Sequence, residues 1–238
     1  MKTHLLRAEW NNIIMANYAV PKELLLPYVP YKTELDFFEG ETYVTLAGFM
    51  FLNTQMLGFG IPFHSNFEEV TLRFYVKSTH GLAAKRGVVF IKEIVPKYAI
   101  TLLANTVFGQ NYMTLKMKSF HQDMGDYTET GYEWKHLDKW NKLTAKAGKR
   151  STPIPQNKFN EFIADHYYGF RKNGETKTYQ YEVEHELWET FNVIDYCVNC
   201  DFRSLFGNEF SILNKEKPKS VFMLKGSEIR IHPRKLLE

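Results

Sequence analysis

The sequence is poor in cysteine, has no long apolar run and carries almost no net charge. Cys197 and Cys200 are the only cysteines among 238 residues, too few for a disulfide framework. The sequence contains no run of about 18 apolar residues, so no transmembrane helix is predicted. Residues 1–12 lack the apolar core of a signal peptide. We therefore expect a reduced, cytoplasmic protein that does not associate with membranes.

The charged residues and short motifs give no sign of a nucleic-acid, nucleotide or metal partner. The 30 Lys and Arg residues against 27 Asp and Glu residues give a net charge of +3, whereas a nucleic-acid-binding domain usually has a basic face. Glycine-rich phosphate loops and a serine nucleophile elbow are absent. A zinc ion needs about four ligands. The two cysteines could be completed only by His166 and His185, which are distant in the sequence and do not form a zinc motif with them. We expect no nucleic-acid partner, no cofactor and no metal.

Aromatic residues are abundant. They make up 16% of the chain, with 19 Phe and 14 Tyr against 14 Gly. Such residues favour strands and form the walls of ligand pockets. A composition that is 44% hydrophobic and 24% charged excludes a disordered chain. We expect one domain spanning residues 1–238, rich in strands and large enough to bury about 70% of its unfolded surface.

Two patterns define the clearest strand and hairpin. In residues 67–77 apolar and polar residues alternate, so that one face of the strand is apolar and the other carries Glu69, Thr71 and Arg73. The dipeptide Asn173-Gly174 lies between two strand-like runs and is the strongest hairpin signal in the chain.

The clearest helix is predicted over Pro96–Phe108. Proline stands at its start and Gly109 just past its end, as is typical of helix boundaries. Spacing of three and four residues places its apolar side chains on one face: Ile100, Leu103, Ala104 and Val107.

The remaining patterns predict many short strands and few helices. Lys135 to Asn157 lacks strand periodicity and is predicted to be a long loop with a short helical piece. Lys225-Gly226 predicts a last hairpin. Further strands are predicted over residues 33–38, 42–52, 87–95, 112–120 and 127–134, and short helices over residues 21–26, 159–164 and 201–206. The expected fold class is α+β, mainly antiparallel β, closed or nearly closed into a barrel because closure removes strand edges.

Three segments carry a family resemblance. Residues 66–76, NFEEVTLRFYV, are similar to an "NFxExNxRxYV" strand of a bacterial domain-of-unknown-function family related to acetoacetate decarboxylase. Residues 162–167, FIADHY, resemble the "FLTERY" segment of that family, and residues 183–188, VEHELW, resemble its "VxHxPW" segment. The order of strands around the predicted helix also fits, and the resemblance spans roughly residues 10 to 230.

The resemblance implies a cone-shaped antiparallel β-barrel with a few peripheral helices and a pocket in its lumen. Acetoacetate decarboxylase forms a Schiff base through a lysine that follows the corresponding helix. Here that position holds Tyr112, followed by Met113, and a residue without an amine cannot form an iminium. The resemblance therefore does not imply decarboxylation. It assigns Glu69 to the position of an acidic residue of the enzyme.

These observations select a set of candidate site residues. We expect Glu69 and Tyr112 to transfer protons and Arg73 to bind a ligand carboxylate. Further candidates for ligand binding are Asn66, Asn111, His185 and Trp188. The alternative for Glu69 and Arg73 is a solvated strand face with ion pairs to neighbouring strands.

Other reactive side chains have ordinary structural interpretations. His185 suits a structural role beneath Trp188, and His166 suits a packed position among aromatic residues. The two cysteines are expected to be ordinary buried thiols rather than a redox pair. A displaced amine would restore Schiff-base chemistry, but the lysines nearest to the candidate strands are expected to face solvent: Lys92, Lys116 and Lys118.

Three hypotheses about function follow. The first is a site for a small organic acid or carbonyl compound, with a lyase-, isomerase- or hydratase-like step and without Schiff-base decarboxylation. The second is a non-catalytic binding or sensor module that uses the same lumen. The third is an interaction protein that uses the basic segment Trp134–Arg150, in which six Lys and Arg residues are interleaved with two tryptophans. Assembly into a homo-oligomer is compatible with the sequence but not required by it.

Overall fold

The computed structural model describes residues 4–60, 62–79, 84–155 and 158–238. The strands in these ranges are β1 (Leu6–Val20), β2 (Thr33–Leu35), β3 (Thr42–Met56), β4 (Phe59–Gly60), β5 (Phe67–Ser78), β6 (Arg86–Val95), β7 (Tyr112–Thr114), β8 (Lys116–Asp123), β9 (Tyr127–His136), β10 (Lys139–Pro153), β11 (Tyr168–Lys172), β12 (Thr178–His185), β13 (Glu189–Asn199), β14 (Ser220–Ile231) and β15 (Lys235–Leu237). The α-helices are α1 (Tyr98–Thr106), α2 (Lys158–Ala164) and α3 (Phe202–Phe206), and short 3-10 helices cover Lys22–Leu24, Leu26–Tyr28 and Asn208–Asn214.

Seven strands form a closed ring. Their order is β12, β11, β6, β5, β3, β1 and β14, and β14 pairs again with β12 through residues 229–231 and 183–185. Nearly all of the pairings are antiparallel; β6 pairs in parallel with β11 and with β7. The mainly antiparallel α+β fold class predicted from the sequence is therefore confirmed.

The sheet continues outside the ring through β13, β10, β9 and β8. This extension packs its apolar face, together with α3 and the last 3-10 helix, against the outer face of the ring. Trp134 and Tyr132 of β9 are fully buried in that outer core. A second core lies inside the ring, where Phe162 of α2 packs against Tyr43 and Tyr75.

The helices are short, and their positions follow the sequence signals. Helix α1 lies within the predicted range 96–108, and Gly109 after it has the left-handed backbone angle φ of +61°. Ile100 and Leu103 of its predicted apolar face line the interior of the ring, whereas Val107 is exposed. Within the described ranges no helix combines the length and apolar character needed to cross a membrane.

The prediction of a loop over Lys135 to Asn157 is wrong, because residues 135–153 are strand except for a turn of two residues. Strand β9 runs on to His136, and β10 follows after a turn of only two residues, Leu137 and Asp138. Both turn residues have positive φ, which usually requires Asn or Gly. Two of the four buried residues of β10 are alanine, a poor strand former, so both signals were weak. Gln156 and Asn157 lie outside the described residues.

Three other boundaries also differ from the prediction. Lys225-Gly226 lies inside the continuous strand β14 rather than at a hairpin; Gly226 has φ of +85°, and a side chain there would collide with the carbonyl oxygen of Trp10. The helix predicted over residues 21–26 is replaced by two 3-10 turns, the second of which contains Pro27. The strand predicted over residues 112–120 is divided at Leu115 into β7 and β8.

Candidate functional site

A cavity of about 180 Å³ lies inside the ring of strands. A cavity of about 150 Å³ is enough to hold benzene, so the space suits a small organic molecule. Aromatic side chains form much of the wall: Trp10, Phe49, Phe51, Phe67, Tyr181 and Trp188. The predicted concentration of aromatic residues on pocket-forming strands thus agrees with the wall that the structure shows.

Two carboxyl groups and a phenol meet on three neighbouring strands of this wall. Thr71 of β5 lies opposite Glu93 of β6, and Glu93 lies in register with Tyr112 of β7. Glu69 is two residues before Thr71 on the same face of β5. The hydroxyl of Tyr112 donates a hydrogen bond to Oε2 of Glu69 across 3.1 Å. Both carboxyl groups are buried and line the cavity.

An irregularity in β6 places Glu93 on the inner face. The register between β5 and β6 shifts by one residue between Leu72 and Arg73, where Phe90 and Lys92 are the successive partners. Such a bulge inverts the alternation of side chains beyond it. Phe90 faces the interior, and two further residues separate it from Glu93, which also faces the interior. Strict alternation from Phe90 would have placed Lys92 there instead.

The carboxyl pair retains protons at unusually high pH. Burial, followed by the nearby charge of Glu93, raises the pKa of Glu69 well above its ordinary value. Burial raises the pKa of Glu93 to about 8, against the opposing effects of the Tyr112 hydroxyl and the charge of Arg171. Burial and the two carboxylates raise the pKa of Tyr112 well above its ordinary value. The two buried carboxyl groups therefore hold protons more tightly than exposed carboxyl groups do, and the charge of Glu93 opposes ionisation of Glu69.

Helix α1 fixes the backbone of Tyr112. The side-chain oxygen of Asn105 accepts a hydrogen bond from the Tyr112 backbone N–H at 2.7 Å, and its amide donates to the Tyr112 carbonyl at 2.9 Å. Asn111 is exposed, and its amide donates to the carbonyl of Ile91 at 2.6 Å. Asn111 thus anchors the start of β7 to β6 and does not line the cavity.

Arg73 is a buried cation on the cavity wall. Among the described residues, the arginines that form ion pairs are Arg7, Arg86 and Arg230, and Arg73 forms none. Its Nη2 atom lies 4.0 Å from the sulfur of Met15, a weak acceptor without charge. A guanidinium in such a position lacks the carboxylate that usually compensates a buried charge.

A directed chain of hydrogen bonds lies beside Arg73. Thr45 donates to Oδ1 of Asn17 at 2.7 Å, so the 2.5 Å hydrogen bond between Thr45 and Tyr75 has the tyrosine hydroxyl as donor. The Tyr75 oxygen is therefore free to accept from Arg73, whose charge and hydrogen bond lower the pKa of Tyr75 against the dominant effect of burial. The chain leaves the cation hydrogen-bonded but not neutralised.

His166 is the second basic side chain in the deep part of the cavity. Its ring lies 4.8 Å from that of Tyr75, and it is buried. Burial, followed by the charges of Arg86 and Arg73, lowers the pKa of His166 well below its ordinary value. The imidazole is therefore neutral. The structural position expected for His166 is correct, but the residue also lines the cavity.

The other predicted ligand-binding residues are scattered. Trp188 lines the cavity and donates its indole N–H to Ser227 at 3.0 Å. His185 is stacked between Trp188 and Tyr167, as the structural interpretation expects, and is not part of the cavity lining. Asn66 is exposed and accepts a hydrogen bond from the backbone of Asn53. Its position, like that of Asn111, gives no support to ligand binding.

No lysine is among the cavity-lining residues in the described part of the chain. Lys116 and Lys118 are exposed as predicted, but the prediction that Lys92 faces solvent is wrong. Lys92 is half-buried on the outer side of the ring, where its ammonium donates to the carbonyl of Leu205 and burial lowers its pKa. The cysteines are both free, and burial raises the pKa of Cys200 well above its ordinary value. Among the described residues no group of three or more His, Cys, Asp and Glu side chains is arranged to hold a metal ion.

The basic segment around Trp134 and Trp140 does not form a continuous aromatic and basic patch. Trp134 is fully buried, while Trp140 is 37% exposed beneath the ammonium of Lys118. Acidic residues of neighbouring strands interrupt the lysines of β10. Lys142 lies opposite Glu133, and Lys146 forms an ion pair with an aspartate of β13.

Comparison with known proteins agrees with the fold and the resemblance. Residues 7–228 match the model of the DUF2071 family, described as an uncharacterized conserved protein (COG2071). The chain belongs to this family. The uncharacterized protein YqjF of Bacillus subtilis is 29% identical over 116 residues, which cover 48% of this chain and 46% of that protein, so the match spans about half the length of the relative.

Solved structures extend the likeness to the whole chain. Acetoacetate decarboxylase from Legionella pneumophila has a TM-score of 0.66 at 13% identity, covering 100% of this chain and 90% of that chain. The enduracididine biosynthesis enzyme MppR in complex with pyruvate has a TM-score of 0.66 at 12% identity, and the match covers 100% of this chain and 92% of that chain. An acetoacetate decarboxylase-like enzyme from Sphingomonas wittichii has a TM-score of 0.67 at 8% identity, and the match covers 98% of this chain and 93% of that chain. The predicted family and its relation to the acetoacetate decarboxylase fold are confirmed.

Proposed function

We propose that the cavity binds a small organic acid that carries a carbonyl group, and that the Glu69–Tyr112–Glu93 cluster moves a proton on it. The ring of strands would then serve as a cone-shaped barrel with the ligand in its lumen. The observation that carries this proposal is the presence, in one cavity, of two buried carboxyl groups with raised pKa values and of a buried arginine that forms no ion pair among the described residues. The likeness to MppR, whose structure contains pyruvate, supports the same class of ligand.

Arg73 would anchor the carboxylate of the ligand. A buried guanidinium without a carboxylate is costly, and an anionic ligand would supply the missing charge through paired hydrogen bonds. Arg73 is four positions after Glu69 on the regular strand β5, which places their Cα atoms about 13 Å apart. Allowing for the length of both side chains, a short oxo acid fits between them with its carboxylate at the arginine.

The carboxyl pair would act on the carbon next to the carbonyl group. Ionised Glu93 takes a proton from that carbon, the electron pair of the broken C–H bond forms a C=C bond, and the carbonyl oxygen receives a proton from protonated Glu69. The product is the enol, and reversal of the steps restores both ligand and enzyme. Tyr112 assists by keeping the two carboxyl groups in contact with one hydroxyl.

The chemistry would differ from that of a Schiff-base enzyme. An iminium requires an amine, and the residues that line the cavity include no lysine in the described part of the chain. Tyr112 at the position that the resemblance assigns to the lysine points to catalysis by hydrogen bonding and proton transfer alone. Decarboxylation of acetoacetate is therefore not part of the proposal.

A non-catalytic binding module would use the same cavity and the same arginine. The raised pKa of Glu93 favours proton transfer over binding alone, because a group that titrates near neutral pH can both take and return a proton. The two functions differ in whether carbon-bound hydrogen of a bound ligand exchanges with solvent.

Calorimetric titration with 2-oxohexanoate tests the proposal. We expect measurable binding, which Arg73→Met weakens about tenfold to hundredfold because a hydrogen-bonded charge pair is lost. Arg73→Lys should restore part of the affinity, and the exposed Arg203→Met is the matched control. Nuclear magnetic resonance in D₂O should show loss of the C3 proton signal of the ligand with the wild-type protein. Equal affinities for wild type and Arg73→Met would contradict the proposed anchor.

A further inference from the structure

We propose that the cavity has a second anion-binding position, formed by Arg171 and Arg234, and that the ligand is an oxo dicarboxylic acid. This inference rests on the proposed function and specifies its substrate class. One carboxylate would lie at Arg73, the reacting carbon beside Glu69 and Glu93, and the second carboxylate at the two further arginines.

The two arginines come from separate elements and converge on the open side of the cavity. Arg171 lies on β11 and Arg234 on the segment between β14 and β15, and both line the cavity. Arg171 is half-buried and Arg234 is exposed, which identifies this side as the one that meets solvent. They lie close enough for the charge of Arg234 to lower the pKa of Arg171, an effect secondary to burial.

Neutral partners hold both guanidinium groups in place. Nη1 of Arg171 donates to the side-chain oxygen of Gln110 at 3.2 Å, and Nη1 of Arg234 donates to the carbonyl of Phe108 at 2.8 Å. The guanidinium of Arg234 also lies 4.0 Å from the ring centre of Tyr179. These contacts orient the side chains without using their charge.

The two positive charges are not balanced by an ion pair. The ion pairs of the described residues include neither Arg171 nor Arg234. Glu93 is the acidic group whose charge acts on Arg171, but among the described residues no ion pair joins these two side chains, and Nη1 of Arg171 donates to Gln110 instead. Two neighbouring cations that lack a carboxylate and face a cavity form a site for an anion, which a planar guanidinium binds through two hydrogen bonds.

The order of groups along the cavity defines the ligand. Arg73 and Glu69 share strand β5, Glu93 lies on the next strand, and Arg171 acts on Glu93 from β11, the strand beyond it. Tyr181 of β12 lines the same cavity, and the charges of both Glu93 and Arg73 act on it. A ligand that follows this order has a carboxylate at each end and a carbonyl group next to the inner one.

Calorimetric titration with a matched pair of ligands tests the inference. 2-Oxoadipate and 2-oxohexanoate share the carbonyl group and the carboxylate next to it on a chain of the same length. Only 2-oxoadipate has a second carboxylate, at the far end of that chain. We expect 2-oxoadipate to bind at least about tenfold more tightly, the factor typical of one partly exposed charge-assisted hydrogen bond. The preference should fall with Arg234→Met and disappear in the double variant Arg171→Met and Arg234→Met. Arg171→Lys should retain part of it, and Arg203→Met should retain all of it.

The outcomes separate the two proposals. If 2-oxohexanoate binds and 2-oxoadipate binds no better, the second anion position is wrong while the proposed function stands. If the preference for 2-oxoadipate survives in the double variant, the second position is also wrong. If neither ligand binds, the proposed function fails and the inference fails with it.

Discussion

The hydroxyl of Tyr112 donates to Oε2 of Glu69 across 3.1 Å at the position where the resemblance to acetoacetate decarboxylase expects a lysine. In place of the lysine that the resemblance expects, this protein has a neutral phenol beside two buried carboxyl groups whose pKa values are raised. Burial disfavours the charged form of a lysine. It favours the neutral forms of the two carboxyl groups, and a neutral phenol needs no counter-charge.

The first prediction concerns stability and pH. The pKa of each buried carboxyl group is raised above its ordinary value, so between about pH 5 and 8 the folded state binds more protons than the unfolded state. The free energy of unfolding should therefore fall as the pH rises through this range. Glu93→Gln should flatten the fall, because the amide does not titrate.

Urea unfolding at pH 5, 6, 7 and 8 measures this slope. Glu161→Gln, at an exposed position on α2, is the matched control and should leave the slope unchanged. A slope in Glu93→Gln as steep as in the wild-type protein would show that the carboxyl group is not buried with a raised pKa.

The second prediction concerns Tyr112→Phe. The hydroxyl lowers the pKa of both carboxyl groups, so its removal should raise both pKa values further. The pH at which deuterium exchange of a bound oxo acid reaches half of its maximum rate should move upward. Tyr98→Phe removes a hydroxyl from a tyrosine that is 69% exposed and should leave the profile in place. A profile unmoved by Tyr112→Phe would exclude the hydroxyl from the cluster.

The third prediction concerns covalent chemistry. Borohydride reduction in the presence of 2-oxohexanoate should leave the mass of the protein unchanged, because the cavity lining has no lysine in the described residues. Acetoacetate decarboxylase treated in the same way with acetoacetate is the positive control. A protein adduct detected by mass spectrometry, with the modified lysine mapped by proteolysis, would show that an amine does reach the ligand.

The fourth prediction separates two tryptophans of neighbouring strands. Trp134 has an exposure of 0%, and Trp134→Ala should lower the free energy of unfolding by about 3–5 kcal/mol, as is typical of large cavities in a core. Trp140 is 37% exposed, and Trp140→Ala should have a much smaller effect. Chemical denaturation of both variants provides the comparison. Equal losses would contradict the placement of Trp134 in the outer core.

Alternation in residues 67–77 was enough to place Glu69 and Arg73 on one face, and the structure turns that face inward. The same reasoning failed for Glu93, because the bulge in β6 depends on pairing with β5 and leaves no local signal. Arg171 and Arg234 were missed for a related reason: they are 63 residues apart in the chain, and only closure of the ring brings them together. Strand β10 was missed because half of its buried face is alanine and its turn lacks glycine.

The rate of deuterium incorporation at C3 of 2-oxohexanoate, followed by nuclear magnetic resonance at neutral to mildly alkaline pH, tests the proposed proton transfer most directly. We expect exchange with the wild-type protein and a decrease of about 10²–10⁴-fold in Glu93→Gln, the range typical of a general base. Calorimetry should show that this variant still binds the ligand through Arg73. Exchange that is absent in the wild-type protein despite binding, or undiminished in Glu93→Gln, would contradict the proposal that the carboxyl pair moves a proton.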